Sequence, residues 1–86
     1  MKIKEGYVLK EVAGNNIVVN VGGSVDFNGM ITLNETGALL WRTLEQNADE
    51  KTLVQALLEE YDIDEQTAQT DVKRFINKLK DAEIVE

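Results

Sequence analysis

Eighty-six residues carrying sixteen carboxylates, nine basic side chains and a formal net charge of −7 describe one small acidic domain, residues 1–86, since single domains run from roughly 50 to 250 residues. Cysteine and histidine are both absent, which excludes disulfide staples and thiolate chemistry and removes the commonest general base and metal ligand. The acidic balance argues against a nucleic-acid partner, whose phosphates are ordinarily met by a basic face, and no apolar run approaches the roughly 20 residues that cross a bilayer.

The first third of the chain is rich in β-formers. Tyr7-Val8-Leu9-Lys10-Glu11-Val12 and Ile17-Val18-Val19-Asn20-Val21 are expected to pair as an antiparallel hairpin around Ala13-Gly14-Asn15-Asn16, whose glycine and asparagines tolerate positive φ. Period two puts Ile17, Val19 and Val21 on one face of the second strand, and that face is expected to meet the core. Gly22-Gly23-Ser24 interrupts the strand. A third short strand, roughly Asn28 to Thr32, follows with Ile31 and Leu33 pointing inward. As the last strand before the helices it sits at the sheet edge, where unpaired N–H and C=O groups are either a docking surface or a short hydrated rim.

Helix one begins near Asn34, a good N-cap, although Thr32 and Glu35 offer a competing capping box. Gly37, Leu40, Trp41 and Leu44 share one face, with Gly37 permitting close approach to a neighbour and Trp41 as core anchor or, alternatively, a ligand-stacking surface. Asn47-Ala48-Asp49 ends this helix and caps the next, Glu50 to Tyr61, whose Leu53, Val54, Leu57, Leu58 and Tyr61 form a broad apolar face. Asp64 is the expected N-cap of helix three, Glu65 to Asp81, with Ile63 and Ala68 as a hydrophobic staple.

Helix three is the longest. Ala68, Val72, Phe75, Ile76 and Leu79 form its core stripe, and Lys73, Arg74, Lys78 and Lys80 supply four of the nine basic residues. Arg74 and Lys78 flank one side of the stripe, Lys73 and Lys80 the other. Basic residues late in a helix also complement its dipole without further role. Ile84-Val85 is expected to return as an extended segment that closes the core. No catalytic constellation emerges: the carboxylates between Glu59 and Glu65 lack the spacing of a calcium loop, and Glu35 and Glu45 lie too far apart on one helix for paired acid–base work. Neither enzyme activity nor a cofactor or metal is expected. The N-terminal segment has no apolar stretch suited to a signal peptide, so a cytoplasmic location is expected.

Three antiparallel strands followed by three helices is an α+β, winged-helix-like content with its β part first. On particular residues the chain resembles the PqqD family: Phe27-Asn28-Gly29-Met30-Ile31-Thr32-Leu33-Asn34-Glu35-Thr36-Gly37 with Leu40-Trp41, and the closing pattern Tyr61-Asp62-Ile63-Asp64, Asp71-Val72, Phe75-Ile76, Leu79 and Ile84-Val85. The resemblance implies a peptide-binding adaptor, or peptide chaperone, of natural product biosynthesis. Such a recognition element holds the leader of a ribosomally made, post-translationally modified precursor peptide and presents it to a modifying enzyme, frequently a radical S-adenosylmethionine enzyme. It also implies that the leader adds as a strand to the third strand and lies against the third helix, a mode in which ladder bonds give affinity and side-chain pockets give specificity. Carried onto this chain, the binding residues are Asn28, Gly29, Met30, Ile31 and Thr32 on the edge. On the helix they are Asp71, Arg74 and Lys78, with Val72, Phe75 and Leu79 as apolar floor and Lys73 and Lys80 as the alternative basic pair. A proline at Ile31 is expected to remove a backbone donor from that edge. The alternative is a winged-helix DNA-binding regulator with helix three as recognition helix, and a third possibility is a subunit that dimerises through the same edge.

Overall fold

The structure, a computed structural model, describes residues 2–20 and 31–85. Val21, the Gly22-Gly23-Ser24 interruption and the expected edge residues Asn28, Gly29 and Met30 lie outside the described residues. Strands β1 (Tyr7–Val12), β2 (Asn15–Asn20) and β3 (Ile31–Leu33) form an antiparallel sheet in the order β1-β2-β3. Helices α1 (Glu35–Leu44), α2 (Glu50–Glu60) and α3 (Glu65–Asp81) follow.

The hairpin turn is tighter than its composition suggests. Only Ala13 and Gly14 lie between the strands, at φ 52 and φ 82, the pair of positive values that a type I′ turn requires. Space around Gly14 is open, with nothing within 4 Å of an added Cβ, so backbone conformation alone selects glycine there. Asn15 and Asn16, expected in the turn, belong to β2 and pair with Val12 and Glu11.

This register corrects the expected core face of β2. Leu9 pairs with Val18, and Val18 with Ile31. Cross-strand partners share a face, so Tyr7, Leu9, Val18, Ile31 and Leu33 point inward together and join one apolar cluster. Val18 is wholly buried, whereas Ile17 and Val19 are half-buried on the opposite face. Three β-formers in succession, Ile17 to Val19, carry no alternation to read; the two-residue turn decides parity.

Each helix starts at a side-chain cap. Gly37 N–H donates to Asn34 Oδ1 at 2.8 Å, Thr52 N–H to Asp49 Oδ1 at 2.8 Å, and Thr67 N–H to Asp64 Oδ1 at 2.7 Å. Asn34 thereby settles the competition at the first helix, and Thr32 remains in β3. Thr52 donates its hydroxyl as well as its N–H to Asp49, and Thr67 its N–H to Asp64; these bonds hold both carboxyls below the usual carboxylate range.

The end of α3 is a Schellman motif. Ile84 N–H donates to the Leu79 carbonyl at 2.9 Å and Glu83 N–H to the Lys80 carbonyl at 3.0 Å, with Glu83 in the left-handed region at φ 58. The reversal carries Ile84 and Val85 back onto the core, as expected. Ile3 bridges antiparallel to Val85, and Lys4 N–H donates to the Ile84 carbonyl at 2.8 Å. Leu40, Trp41, Leu44, Leu53, Leu57, Val72, Leu79 and Ile84 are all buried to within 1%, so Trp41 is a core anchor and stacks on no ligand from outside. Its indole Nε1 has no hydrogen-bond partner among the described residues. Helix α2 packs against both α1 and α3, and none of the described helices is long and apolar enough to cross a membrane.

Two outcomes test this account. Glu83→Gly relieves a left-handed residue that carries a Cβ and is expected to stabilise the fold by about 1 kcal/mol, read from the urea midpoint. For the caps, folded-state pKa values are depressed, so their contribution is present above the unfolded carboxylate pKa and lost as pH falls through the lower folded values. Replacing Asp49 and Asp64 together with Asn, which still caps but does not titrate, is expected to flatten the acid limb of stability against pH below about pH 4; an unchanged limb would remove the caps from acid unfolding.

Candidate functional site

A single residue, Asn34, separates β3 from α1. Because its side chain turns back to cap the helix, the first turn of α1 stands directly beside the end of β3. Gly37 makes that proximity possible: a Cβ there would lie 3.2 Å from both Leu33 Cβ and Asn34 Oδ1. The close approach expected of Gly37 is therefore to its own junction. Opposite, α3 presents the flank that carries Asp71, Arg74 and Lys78. Between them runs a cleft of about 550 Å³.

One wall is Thr32, Leu33, Asn34, Thr36 and Gly37; the other is Asp71, Arg74 and Lys78, with Phe75 and Leu40 at the base and Asn15 of the hairpin at one end. Arg74, Lys78 and Thr32 are exposed and Asp71 is half-buried. Two cations against one carboxylate make the cleft locally basic on a chain whose net charge is −7, a contrast that favours an anionic or acidic occupant. Among the described residues a hydrogen bond joins the walls where Lys78 Nζ donates to the Thr32 carbonyl at 3.4 Å.

That contact orients the edge. In an antiparallel pair a residue directs its N–H and C=O either both toward the partner strand or both away from it. Thr32 pairs with Ile17 of β2, and its carbonyl is turned to α3, so its N–H faces the cleft as well. By alternation Ile31 and Leu33 turn their main-chain groups toward β2. Among the described residues no strand pairs with the outer edge of β3.

The residues singled out in the sequence divide accordingly. Thr32, Asp71, Arg74, Phe75 and Lys78 come together around the cleft. Ile31 is half-buried against the core, and Asn28, Gly29 and Met30 lie outside the described residues. Val72 and Leu79 do not form the floor: both are fully buried in the helical core, each 0% exposed, because the stripe they occupy on α3 faces inward and only its rim reaches the cleft. Apolar floor is supplied by Phe75, Leu33 and Leu40. Lys73, one of the alternative basic pair, lies away from the cleft, beside Glu50, Lys51 and Glu65 near the start of α2. Asn34 was read as a helix cap, Gly37 for packing and Thr36 only within the family pattern, and their place in the wall follows only from the one-residue junction. Nothing in the sequence marks Asn15, which arrives through the hairpin register. None of the described His, Cys, Asp or Glu side chains cluster as a metal site would require.

A family model described as coenzyme PQQ synthesis protein D (PqqD) matches residues 7–85. The chain belongs to the PqqD family. Solved structures similar to this PqqD-family chain include TbiB1 in complex with the TbiA(beta) leader peptide, at TM-score 0.80 and 23% identity over 100% of this chain and 95% of that one. Lasso peptide synthetase B1 complexed with the leader peptide is similar at TM-score 0.78 and 19% identity, over 99% of this chain and 95% of that one. At such identities the likeness is one of fold, and it supports the α+β arrangement of three antiparallel strands followed by three helices. No curated protein matches the sequence.

The burial of Leu79 has a direct consequence. Leu79→Ala is expected to cost about 2–5 kcal/mol of stability through the cavity it leaves, measured by chemical denaturation. A variant that kept its stability but bound a cleft ligand more weakly would return Leu79 to the floor.

Proposed function

We propose that this chain is a peptide-binding adaptor that holds the leader of a ribosomally made precursor peptide by strand addition to β3 and presents it to a modifying enzyme. The observation that carries the reading is the orientation of Thr32, whose main-chain donor and acceptor both face a basic cleft. Strand addition satisfies such groups directly. Membership of the PqqD family supports the reading, as do the two similar structures, each of which is a complex with a leader peptide. The enzyme served is a radical S-adenosylmethionine enzyme, residues 1–86 act as one domain in the cytoplasm, and their own part is binding without catalysis. Arg74 and Lys78 meet acidic side chains of the leader, Phe75 provides the apolar contact, and the edge extends from Thr32 back through Asn28, Gly29, Met30 and Ile31.

The DNA-binding alternative draws no support from the helix. Arg74 and Lys78 line the cleft while Lys73 lies toward α2, so these three basic residues of α3 do not present one face to a duplex.

An amide NMR titration of the labelled protein with the leader peptide encoded beside its gene tests the proposal, with a short DNA duplex titrated in parallel. Saturable shifts from the peptide alone, concentrated at residues 31–37 and 71–78, are expected. Shifts from DNA alone, or peptide shifts elsewhere, would overturn the docking mode. The edge geometry also moves the informative proline from Ile31 to Thr32. Thr32→Pro removes the donor that faces the cleft and is expected to weaken the leader at least tenfold, whereas proline at Ile31 would damage the β2–β3 pairing instead. Reversing charge at both Arg74 and Lys78 is expected to cut affinity for an acidic leader about tenfold at low salt, with the loss shrinking as ionic strength rises. An affinity that did not respond to charge or salt would leave the two as partners of the helix dipole.

A further inference from the structure

The only described side chain that spans the cleft does so onto the group an incoming strand needs. Lys78 Nζ lies 3.4 Å from the Thr32 carbonyl oxygen, and that carbonyl is the edge acceptor of the docking strand. Both groups are exposed, so in their mutual absence water would satisfy each. The contact is long for a hydrogen bond and correspondingly weak, a fraction of what a short charge-assisted bond contributes. Weakness suits a group that must be displaced. A peptide strand cannot pair with Thr32 without taking over this acceptor, and Lys78 then leaves it.

What happens to the released ammonium decides which peptides bind well. Side chains of a paired strand alternate between faces. The peptide residue opposite Thr32 shares the outer face with Thr32, and its two neighbours point to the inner face, where Leu33, Phe75, Arg74 and Lys78 line the cleft. A carboxylate on one of those neighbours meets the ammonium just as it is freed. A neutral side chain there leaves Lys78 with a lost contact and nothing in return.

We infer that Lys78 is a latch on the docking edge, closed on the Thr32 carbonyl while the cleft is empty and opened at least cost by a leader that brings a carboxylate next to the residue paired with Thr32. The inference rests on the docking reading above and adds to it a selection rule. Lys78 favours acidic leaders by attraction and also penalises neutral ones by competing for the edge. Attraction alone predicts that removing the ammonium leaves neutral leaders unaffected; a latch predicts that they bind better.

The two effects separate by sign. The probes are the leader peptide encoded beside the gene and the same peptide with every Asp and Glu replaced by Asn and Gln. The proteins are the parent, Lys78→Met, which keeps the length of the side chain without its charge, and Lys73→Met, which removes a charge from the other flank. Amide spectra of each variant establish that it is folded before affinities are measured by fluorescence anisotropy. Lys78→Met is expected to bind the acidic leader about three- to tenfold more weakly than the parent and the neutralised leader about two- to fivefold more tightly, and the Thr32 amide and carbonyl resonances are expected to shift in the peptide-free variant. Lys73→Met is expected to show no gain with the neutralised leader. If the neutralised leader binds Lys78→Met no better than it binds the parent, or if Lys73→Met gains equally, the latch is wrong while the docking mode stands. If neither peptide perturbs Thr32 in the parent, the docking reading falls and the latch with it.

Discussion

The one-residue junction between β3 and α1 is the constraint on which the site depends. Asn34 is the last extended residue and the first cap at once, so there is no loop to relax the angle between strand and helix. Its side chain satisfies the Gly37 N–H, one of the donors that a helix start leaves without an internal partner, and Gly37 has no Cβ to push Leu33 away. With Leu33 5% exposed and Leu40 1% exposed, the junction is anchored in the core from both sides. The edge of β3 is therefore held rigid relative to the helices, as a surface that accepts a strand needs to be.

The far wall is positioned by packing rather than by chain connection. Helix α2 lies against both α1 and α3, and its Leu53, Val54 and Leu57 are buried between them. It spaces α3 from α1 and leaves the cleft open toward the sheet. The stripe Ala68, Val72, Phe75, Ile76 and Leu79 fixes the rotation of α3 about its own axis. Once that stripe is buried, Arg74 and Lys78, one turn apart, fall on the β3 side. The bridge of Ile3 and Lys4 to Ile84 and Val85 holds the end of the same helix. Function and stability thus share one element: the inner face of α3 builds the core and its flank builds the site, so substitutions a single position apart have different consequences.

Much of the architecture was legible in the residues. Helix boundaries followed from caps whose chemistry is local: Asn34, Asp49 and Asp64 each find the N–H three residues on. The inward stripe of α3 follows from period alone, and so does the pair of basic residues beside it. The β-hairpin was legible in kind but not in parity. Ile17, Val18 and Val19 are all apolar, and the choice of Val18 for the core comes from a turn of two residues in which Ala13, an unfavoured residue for positive φ, takes the first position. Composition pointed to a longer turn because Asn15 and Asn16 also suit one. The assignment of Val72 and Leu79 to a ligand floor failed for a related reason. An apolar residue on an amphipathic helix is equally suited to a core and to a binding groove, and burial distinguishes them only after the neighbours are in place.

By itself the sequence determined the order and type of the elements, the three caps, the inward face of each helix and the presence of a basic flank on an acidic chain, because these depend on residues within a few positions of one another. Only the tertiary structure decided which flank of α3 meets β3, that Thr32 turns both main-chain groups to the cleft, and that Lys78 reaches across to its carbonyl from forty-six positions away. Those facts depend on strand register and on the rotation of one helix against a sheet, which are set by the sum of all buried contacts and so are written in no single stretch of the chain.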